Sequence, residues 1–578
     1  MVNLQNLQKE YLKIKKIDKR DMNKKNRLLN DNIYQHIEYT QLEDYFLQTK
    51  IVNRLLFITQ NALAYFAFPS INTKRYIHSI GTMHLSSHML KNSLINTQKD
   101  VANKFINNIK KSIVKIIKEN NLKISLDNLD FLDDTSLYEY TVPLKSKIHS
   151  NIYMIVLQAL RLAGLLHDVG HFPFSHQVEY ALEKIYKKLL LQKKHNEKEN
   201  EFLTFYKTIT NDADTVLHES LGKKLTHLLF EHELTGFLDD NYKKDYIKLL
   251  HILCNNIFNE TKDEHFSYKI LHKYIDSTVD ADRLDYINRD MLSSGYISGA
   301  VDLIRITKQS ILISENKTFR LSFYDEGLID IEHMLEMRFN LYKKLIYNHK
   351  IARSDALLEN VIIFLAEKYF KEENKEIELL NSVSMLWKFL DTKNNEKKLD
   401  IISQLDENWL INLFKKEYFK IKYDENKTSK EEKYLVSFEE VLFGKRIFNS
   451  MWKNLNDFYN VLEFSVVDRY RFREKFGNVN KNQIAILQDA LDKLVIKWQE
   501  KDNGVFFTYQ IIELNTGISK NFCLYDGDNL ISIDQISTLR KRLKKSMLNS
   551  VPFFLYSNQF KINDEMKDDI KKILLNFL

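Results

Sequence analysis

Three histidines and one aspartate stand within ten residues, directly after a long apolar run. Residues 152–166 are almost entirely apolar, and His167, Asp168, His171 and His176 follow them. Burying such groups is costly unless they are paired or bind a metal ion. His167 and Asp168 are adjacent, so their side chains diverge by about 100° on a regular helix and can reach one ion only at its end. The spacing therefore predicts a site that is completed by residues from elsewhere in the chain.

His78 and Asp282, each on a predicted helix of its own, are the candidates to complete this site. Two imidazoles and two carboxylates suit a divalent ion such as Mn, Fe, Co or Mg, and zinc is also compatible. Such an ion polarises phosphorus–oxygen bonds and lowers the pKa of bound water, so the expected chemistry is hydrolytic. Each residue alone is weak evidence. The segment 279–290, which contains Asp282, also fits a plain charged helix, and a lone histidine is more often structural.

Other polar side chains could serve the same reaction. Imidazoles near a phosphate act as general acids, general bases or hydrogen-bond donors. The candidates for these roles are His171, His176 and His218. Cations neutralise a polyphosphate, and a guanidinium group can bind it through two hydrogen bonds. The candidates for that role are Arg75, Arg283 and Lys350.

The composition is typical of a helical protein. Only 13 of the 578 residues are glycine and 4 are proline, which disfavours a turn-rich sandwich or barrel. The net charge of +7 suits a polyanionic ligand, and nucleic-acid binding is compatible with it but not required. Two cysteines, Cys254 and Cys523, are too few for a disulfide framework or a cysteine-rich metal site. Since neither a secretory signal nor an apolar run of roughly 18 residues is visible, we expect a soluble, cytoplasmic protein without a membrane span.

The patterning predicts a mainly α fold of two or three domains or lobes, with a small α+β C-terminal lobe. We expect helices over residues 152–166, from Arg75 onward, and continuously through residues 337–350. Strand-like segments cluster near the end of the chain, at 505–512, 521–525 and 552–556. The predicted division is a basic N-terminal arm (1–30), a catalytic core (31–360) with insertions near 91–150 and 183–211, a helical extension (361–503) and the C-terminal lobe (504–578).

Five sequence blocks resemble one known family, in the same order along the chain. They are R-x-x-H-S-x-G from Arg75, H-D-x-G-H-x-P-F-S-H from His167, H-E at His218, D-x-D-x-x-D-Y-x-x-R-D from Asp280, and Y-x-H-K from Tyr347. This set resembles the HD-domain superfamily of metal-dependent phosphohydrolases, and specifically its deoxynucleoside triphosphate triphosphohydrolase branch. One departure is Arg338, which lies one residue further from the Y-x-H-K block than the family pattern predicts.

The resemblance implies a role for each matching residue. The implied metal ligands are His78, His167, Asp168 and Asp282. His171 and His218, with Asp282, map onto catalytic positions, and His176 onto a substrate-phosphate contact. The implied phosphate and sugar contacts are Gln60, Arg75, Arg283, Tyr286, Asp290 and Lys350. Asp31 stands where the family has an allosteric nucleotide contact.

The resemblance also implies an activity. Family members hydrolyse a dNTP at the α-phosphorus, releasing a deoxynucleoside and inorganic triphosphate, with a divalent metal ion as cofactor. Many are tetramers or hexamers, several with activating or inhibiting nucleotides, and in bacteria the reaction could serve nucleotide pool control or antiphage defence. Two alternatives stay open. One is another HD phosphohydrolase, acting on a phosphodiester, a cyclic nucleotide or a guanosine polyphosphate. The other is a non-catalytic nucleotide or nucleic-acid sensor.

Overall fold

The computed structural model describes residues 27–576 except 128, 130–133, 212–214, 235–240, 297–298, 316–317, 373–378, 391–393, 477–480, 502–504 and 559–561. Most of the predicted basic arm, residues 1–26, therefore lies outside the described part of the chain. Its last residues belong to a β-hairpin. As the composition predicts, the fold is mainly α with a small α+β part.

Four of the five motif blocks lie on the helices that precede residue 310 or in the turns between them, and the Y-x-H-K block lies later in the chain. In chain order these helices are α1 (Gln41–Leu47), α2 (Lys50–Asn53), α3 (Arg75–Asn96), α4 (Lys99–Glu119), α5 (Lys147–Leu166), α6 (His176–Leu190), α7 (Glu197–Thr210), α8 (Leu217–Leu228), α9 (Asn241–Phe258), α10 (Lys269–His272), α11 (Ala281–Ser294) and α12 (Leu303–Lys308). Short 3-10 turns lie at Arg54–Phe57, Ala64–Phe66 and Thr135–Tyr140, and a π turn at Leu229–Glu233.

The later helices are α13 (Leu328–Asn340), α14 (His349–Lys371), α15 (Met385–Lys388), α16 (Asn395–Ser403), α17 (Glu407–Lys422), α18 (Ser429–Phe443), α19 (Leu455–Val461), α20 (Val466–Phe476), α21 (Lys481–Lys501), α22 (Ile533–Ile536), α23 (Leu539–Met547) and α24 (Asp564–Asn576). Shorter turns are the 3-10 segments Asp325–Gly327 and Leu379–Asn381 and the π turn Leu341–Ile346.

Four small antiparallel sheets accompany the helices in the described ranges. The strands are β1 (Arg27–Asp31), β2 (Gln35–Tyr39), β3 (Ser310–Glu315), β4 (Thr318–Phe323), β5 (Asn449–Ser450), β6 (Phe507–Ile511), β7 (Cys523–Tyr525), β8 (Leu530–Ser532) and β9 (Phe553–Ser557). β1 pairs with β2, β3 with β4 and β7 with β8, and the remaining strands form a sheet in the order β5–β9–β6. Since β5 lies within the segment predicted as a helical extension, that segment also contributes to the C-terminal sheet.

The apolar run predicted as a buried helix is α5, and α3, α4 and α9 pack against it. α3 approaches closely at Gly164, where a Cβ atom would lie 3.1 Å from the Cα of Met83. The one charge in the body of the run, Arg161, is fully buried and bonded twice to the Glu43 carboxylate, at 2.5 and 2.7 Å. Pairing therefore satisfies the ionisable group that the apolar helix carries.

The segment predicted as an insertion at 91–150 includes α4, which buries Phe105, Ile109 and Ile113 against its neighbours. That this segment is an insertion stays a prediction. The prediction of one continuous helix through 337–350 is wrong. α13 ends at Asn340, a π turn follows, and α14 begins only at His349, because the Asn348 side chain accepts a hydrogen bond from the Lys350 backbone N–H and caps a new helix. Among the described helices, none combines the length and the apolar character that crossing a membrane requires.

Candidate metal centre and acid–base cluster

The turn after α5 carries most of the polar residues of the site. α5 ends at Leu166 and α6 begins at His176, with Phe174 and Ser175 between them at φ of 58° and 53°. This left-handed backbone is unfavourable for residues other than glycine, so surrounding contacts must hold it. The Ser175 hydroxyl donates to the Thr59 carbonyl at 2.5 Å and accepts from Arg75 Nε at 2.7 Å. Those bonds tie the turn to the start of α3.

The four predicted metal ligands lie together where α3, α5 and α11 meet. His78 Nε2 is 2.9 Å from Asp282 Oδ1, and His167 Nε2 is 3.6 Å from the same oxygen. Asp168 adds its Oδ1, 3.3 Å from His167 Nε2, and its Oδ2, 3.6 Å from His78 Nε2. The Asp282 side chain is 31% exposed, whereas His78 is 1% exposed. The cluster is therefore buried on the α3 side and open to solvent beside Asp282.

The donor set fits a divalent metal ion. The Nε2 atoms of His78 and His167 are both buried and have no hydrogen-bond partner. On the opposite side of each ring, Nδ1 is engaged, by the Gly164 carbonyl at 2.8 Å for His167 and by Asp285 Oδ2 at 2.8 Å for His78. An imidazole that is held through one nitrogen presents the other as a metal ligand. Two such nitrogens and two carboxylates suit Mn, Fe, Co, Mg or zinc without distinguishing among them.

Asp285 supports the centre, although sequence reasoning did not assign it a role. Burial lowers the pKa of His78, but Asp282 and Asp285 outweigh this effect and raise it to about 10. There is room for the Asp285 carboxylate only because residue 81 is glycine. A Cβ atom at Gly81 would lie 1.8 Å from Asp285 Oδ1. Both residues belong to the motifs around His78 and Asp282, so the S-x-G and D-x-D-x-x-D patterns contained this signal.

A second cluster lies beside the first and is organised by Glu179, a residue that sequence reasoning missed. Its Oε1 is 2.9 Å from His171 Nδ1, and its Oε2 is 2.7 Å from His218 Nδ1. The rings of His171 and His218 stack at 4.0 Å with an interplanar angle of 17°. His176 borders the pair, with its Nδ1 3.7 Å from Glu179 Oε2. The available signal was the spacing of Glu179, one helical turn after His176.

The two stacked imidazoles have opposite pKa shifts. Burial, with the positive charges of Arg75 and His218, lowers the pKa of His171 to about 3. Burial also opposes the charge on His218, but Glu179 outweighs it and raises the pKa of His218. The pKa of Glu179 lies well below its usual range, because His218 and its other imidazole partners outweigh the effect of burial. These shifts favour a neutral His171, an ionised Glu179 and the protonated form of His218.

Asp168 joins the two clusters. Its Oδ1 is 3.3 Å from His167 Nε2 on one side and 3.3 Å from His171 Nε2 on the other. Arg75 Nη1 is 2.5 Å from Asp168 Oδ2. Burial raises the pKa of Asp168, but Arg75 and the neighbouring histidines outweigh it and hold the pKa well below its usual range. The carboxylate therefore stays ionised between the metal centre and the acid–base cluster.

Glycine at position 170 allows His218 to reach the cluster. A Cβ atom there would lie 2.0 Å from the His218 carbonyl and 2.4 Å from the backbone N of Gly222. The turn after α5 and the first turn of α8 thus meet backbone to backbone. This close approach accounts for the glycine in the H-D-x-G-H block.

Comparison with known proteins agrees with these motifs, although no protein-family model matches the chain. The deoxynucleoside triphosphate triphosphohydrolase SAMHD1 homolog of Dictyostelium discoideum is 24% identical over 332 residues, which are 57% of this chain and 48% of the relative. An HD domain-containing protein of Acanthamoeba polyphaga mimivirus is 23% identical over 366 residues, 63% of this chain and 62% of the relative. The resemblance to HD-domain dNTP triphosphohydrolases is confirmed. The chain spans less than two thirds of the length of either relative.

A solved structure shares the fold over a longer range. A phosphohydrolase from Bacteroides thetaiotaomicron superposes with a TM-score of 0.53 at 16% identity, over 92% of this chain and 99% of that one. At this identity the similarity concerns the fold alone. The name of the Dictyostelium relative supports a hydrolase, and the histidine and aspartate clusters are compatible with a divalent metal ion.

Two further residues of the HD motifs, Tyr286 and Asp290, lie near the metal centre. The ring of Tyr286 is 6.4 Å from that of His78, centroid to centroid. Gln60 Oε1 and Asp290 Oδ1 are both buried without a hydrogen-bond partner. Burial raises the pKa of Asp290 to about 6, although the neighbouring Asn61 amide lowers it. A ligand with hydroxyl or amine donors would satisfy these oxygens, so the predicted sugar-side role of Gln60 and Asp290 has a physical basis.

Arg283 faces a cavity on the other side of α11. Its Nη1 donates to the Gly517 carbonyl at 3.0 Å, and it lines a cavity of about 1220 Å³ together with Arg338. Arg338 is buried, with its guanidinium 4.6 Å from the centroid of the Tyr342 ring and its Nε without a hydrogen-bond partner. The two guanidinium groups thus share a cavity wall despite the one-residue departure of Arg338 from the family spacing.

Besides Arg283, two predicted residues, Lys350 and Asp31, lie outside both clusters. Lys350 is exposed in the first turn of α14, where its backbone N–H bonds to Asn348. Asp31 is buried at the end of β1, 2.8 Å from Arg289 Nη1. Its allosteric role stays a prediction, as does phosphate binding by Lys350.

Proposed function

We propose that the chain is a metal-dependent dNTP triphosphohydrolase, which cleaves its substrate at the α-phosphorus to a deoxynucleoside and inorganic triphosphate. The observation that carries the proposal is the position of Asp168, within 3.3 Å of both a metal-ligand histidine and an acid–base histidine. A substrate phosphate held at the metal centre would thus lie next to groups that can transfer protons. The names of the SAMHD1-type relatives support the choice of substrate.

In this proposal, the predicted ligands His78, His167, Asp168 and Asp282 hold the ion. When bound, the divalent ion supplies Lewis-acid activation of the phosphate and of the attacking water. Arg75 neutralises phosphate charge beside Asp168, and its guanidinium is already held by Ser175.

The protein's own proton transfers follow from the pKa shifts in the second cluster. Glu179 raises the pKa of His218 and so favours its protonated form, which makes His218 the acid that gives a proton to the departing O5′ of the nucleoside as the bond from that oxygen to the α-phosphorus breaks. His171 is neutral and accepts the proton that water loses as its oxygen bonds to the same phosphorus. Glu179 holds both rings through Nδ1, so the transfers are assigned to their Nε2 atoms, that of His171 lying 3.3 Å from Asp168 Oδ1. One water is consumed, and one deoxynucleoside and one triphosphate form.

The test is an anion-exchange assay of each of the four dNTPs, singly and in mixtures, with Mn²⁺ or Mg²⁺. We expect deoxynucleoside and inorganic triphosphate in equal amounts. The variant with His167→Ala and Asp168→Ala should lose both activity and metal content, whereas His195→Ala, which removes an imidazole bonded to the Leu189 backbone carbonyl, should keep both. Monophosphate or pyrophosphate as the product would instead identify another HD phosphohydrolase. Nucleotide binding without turnover would identify a sensor.

The mixtures also test the proposed regulation. An activating nucleotide would reveal itself as turnover of one dNTP only in the presence of another. Light scattering with and without nucleotides would test the expected tetramer or hexamer. A role in nucleotide pool control or antiphage defence is proposed on the same basis and would be tested by measuring cellular dNTP levels with and without phage infection.

A further inference from the structure

The turn of the β1–β2 hairpin reaches the back of the metal centre. The Tyr34 hydroxyl donates to Asp285 Oδ1 at 2.7 Å, although the two residues are 251 positions apart. Asp285 Oδ2 in turn lies 2.8 Å from His78 Nδ1. Two hydrogen bonds therefore lead from the hairpin to the ring whose Nε2 is a predicted metal ligand.

The hairpin also holds Asp285 by a second route. Arg289 Nε is 2.8 Å from Asp285 Oδ2, and Arg289 Nη1 is 2.8 Å from Asp31 Oδ2. The other oxygen of Asp31 accepts the backbone N–H groups of Ile33 and Tyr34 at 2.7 and 2.9 Å. The shape of the turn and the position of the guanidinium thus depend on the same aspartate.

Packing leaves the Tyr34 ring and the Asp285 carboxylate little freedom. The centroid of the Tyr34 ring lies 4.9 Å from that of the His84 ring. The Arg289 guanidinium lies 5.5 Å from the Tyr34 centroid. The Asp285 carboxylate itself lies against Gly81, where even a Cβ atom would be only 1.8 Å from Asp285 Oδ1. Because close-packed groups transmit displacement rather than absorb it, a shift of Tyr34 would move the carboxylate that orients His78.

We propose that Tyr34 is a positioning residue for the metal ligand His78 and acts through Asp285. The inference rests on the proposed function, since it requires a metal ion at His78. Without the Tyr34 hydroxyl, one oxygen of a fully buried carboxylate loses its donor, and the carboxylate can rotate away from the imidazole. Residues that hold a ligating histidine through its second nitrogen change metal affinity by about 10- to 100-fold when they are removed, and Tyr34 acts one bond further out.

The test compares Mn²⁺ binding to the full chain and its Tyr34→Phe variant by titration calorimetry. We expect the Mn²⁺ dissociation constant to rise about tenfold or somewhat less in Tyr34→Phe. At saturating Mn²⁺, KM for the dNTP should stay unchanged. Tyr39→Phe removes a hydroxyl from the same hairpin, away from Asp285, and should bind Mn²⁺ as the unmodified chain does. A Tyr34→Phe protein that folds and binds Mn²⁺ with unchanged affinity would overturn the proposal.

A double-variant cycle separates positioning from general destabilisation. Asp285→Asn should itself weaken Mn²⁺ binding, and adding Tyr34→Phe to it should cause little further loss, because the route through Asp285 is already broken. Two independent, multiplicative losses would refute the route, even if Tyr34→Phe folds less well. If the unmodified chain bound no Mn²⁺, the proposed function and this inference would both fail. Mn²⁺ binding by that chain with equal affinity in Tyr34→Phe would defeat this inference alone.

Discussion

The substitution Glu179→Gln tests the acid–base assignment most directly. It removes the negative charge that stabilises protonated His218 while keeping the size of the side chain. The bond from His218 Nδ1 to Glu179 Oε2 is 2.7 Å long and partly buried, and a hydrogen bond to a charged group contributes about 1.5–3 kcal/mol. At 1.36 kcal/mol per pKa unit, this equals about one to two units. Burial still lowers the pKa of His218 in the variant, so the pKa must fall.

The expected result follows from which form of His218 is active. Because protonated His218 is the proposed acid, kcat should decline as the pH rises through its raised pKa. In Glu179→Gln, this alkaline limb should move to lower pH by about one to two units. The assay is triphosphate release at saturating dNTP and metal over a range of pH. Glu183→Gln, on the same helix and 40% exposed beside Lys187, is the matched control. An alkaline limb at the same pH in Glu179→Gln would refute the role of His218 as the acid.

Three other perturbations give distinct results. Removal of divalent ions with a chelator should abolish turnover and lower the midpoint of thermal unfolding, and Mn²⁺ should restore both; full activity after chelation would exclude the metal centre. Gly81→Ala should lower the free energy of unfolding by about 1–3 kcal/mol, measured in urea, because its Cβ would overlap the Asp285 carboxylate. Glu43→Gln should cost about 3–5 kcal/mol in the same measurement, since it leaves Arg161 charged and buried without its partner. An unchanged free energy of unfolding in either variant would contradict the close contact of Gly81 with Asp285 or the buried pairing of Glu43 with Arg161.

Local sequence pattern predicts much of the region around α5. The apolar run forms a buried helix, and the abrupt change at His167 marks both the end of that helix and a predicted metal ligand. The same pattern could not predict the break before His349, because a capping side chain and a π turn interrupt a segment whose apolar spacing is still helical. The helical spacing of apolar residues in α4, by contrast, does predict a buried stripe opposite its lysine-rich face.

The motifs in the sequence identified the predicted ligands and their order, because each motif is a short local arrangement on one helix or turn. Which helices meet depends instead on packing between segments far apart in the chain. Glu179 became the shared partner of His171 and His218 only where α6 and α8 come together, and Gly170 permits that approach. Tyr34 reaches Asp285 across 251 residues for the same reason. The spacing of apolar residues indicates which face of a helix is buried. Which other element covers that face is decided by the close packing of the whole core.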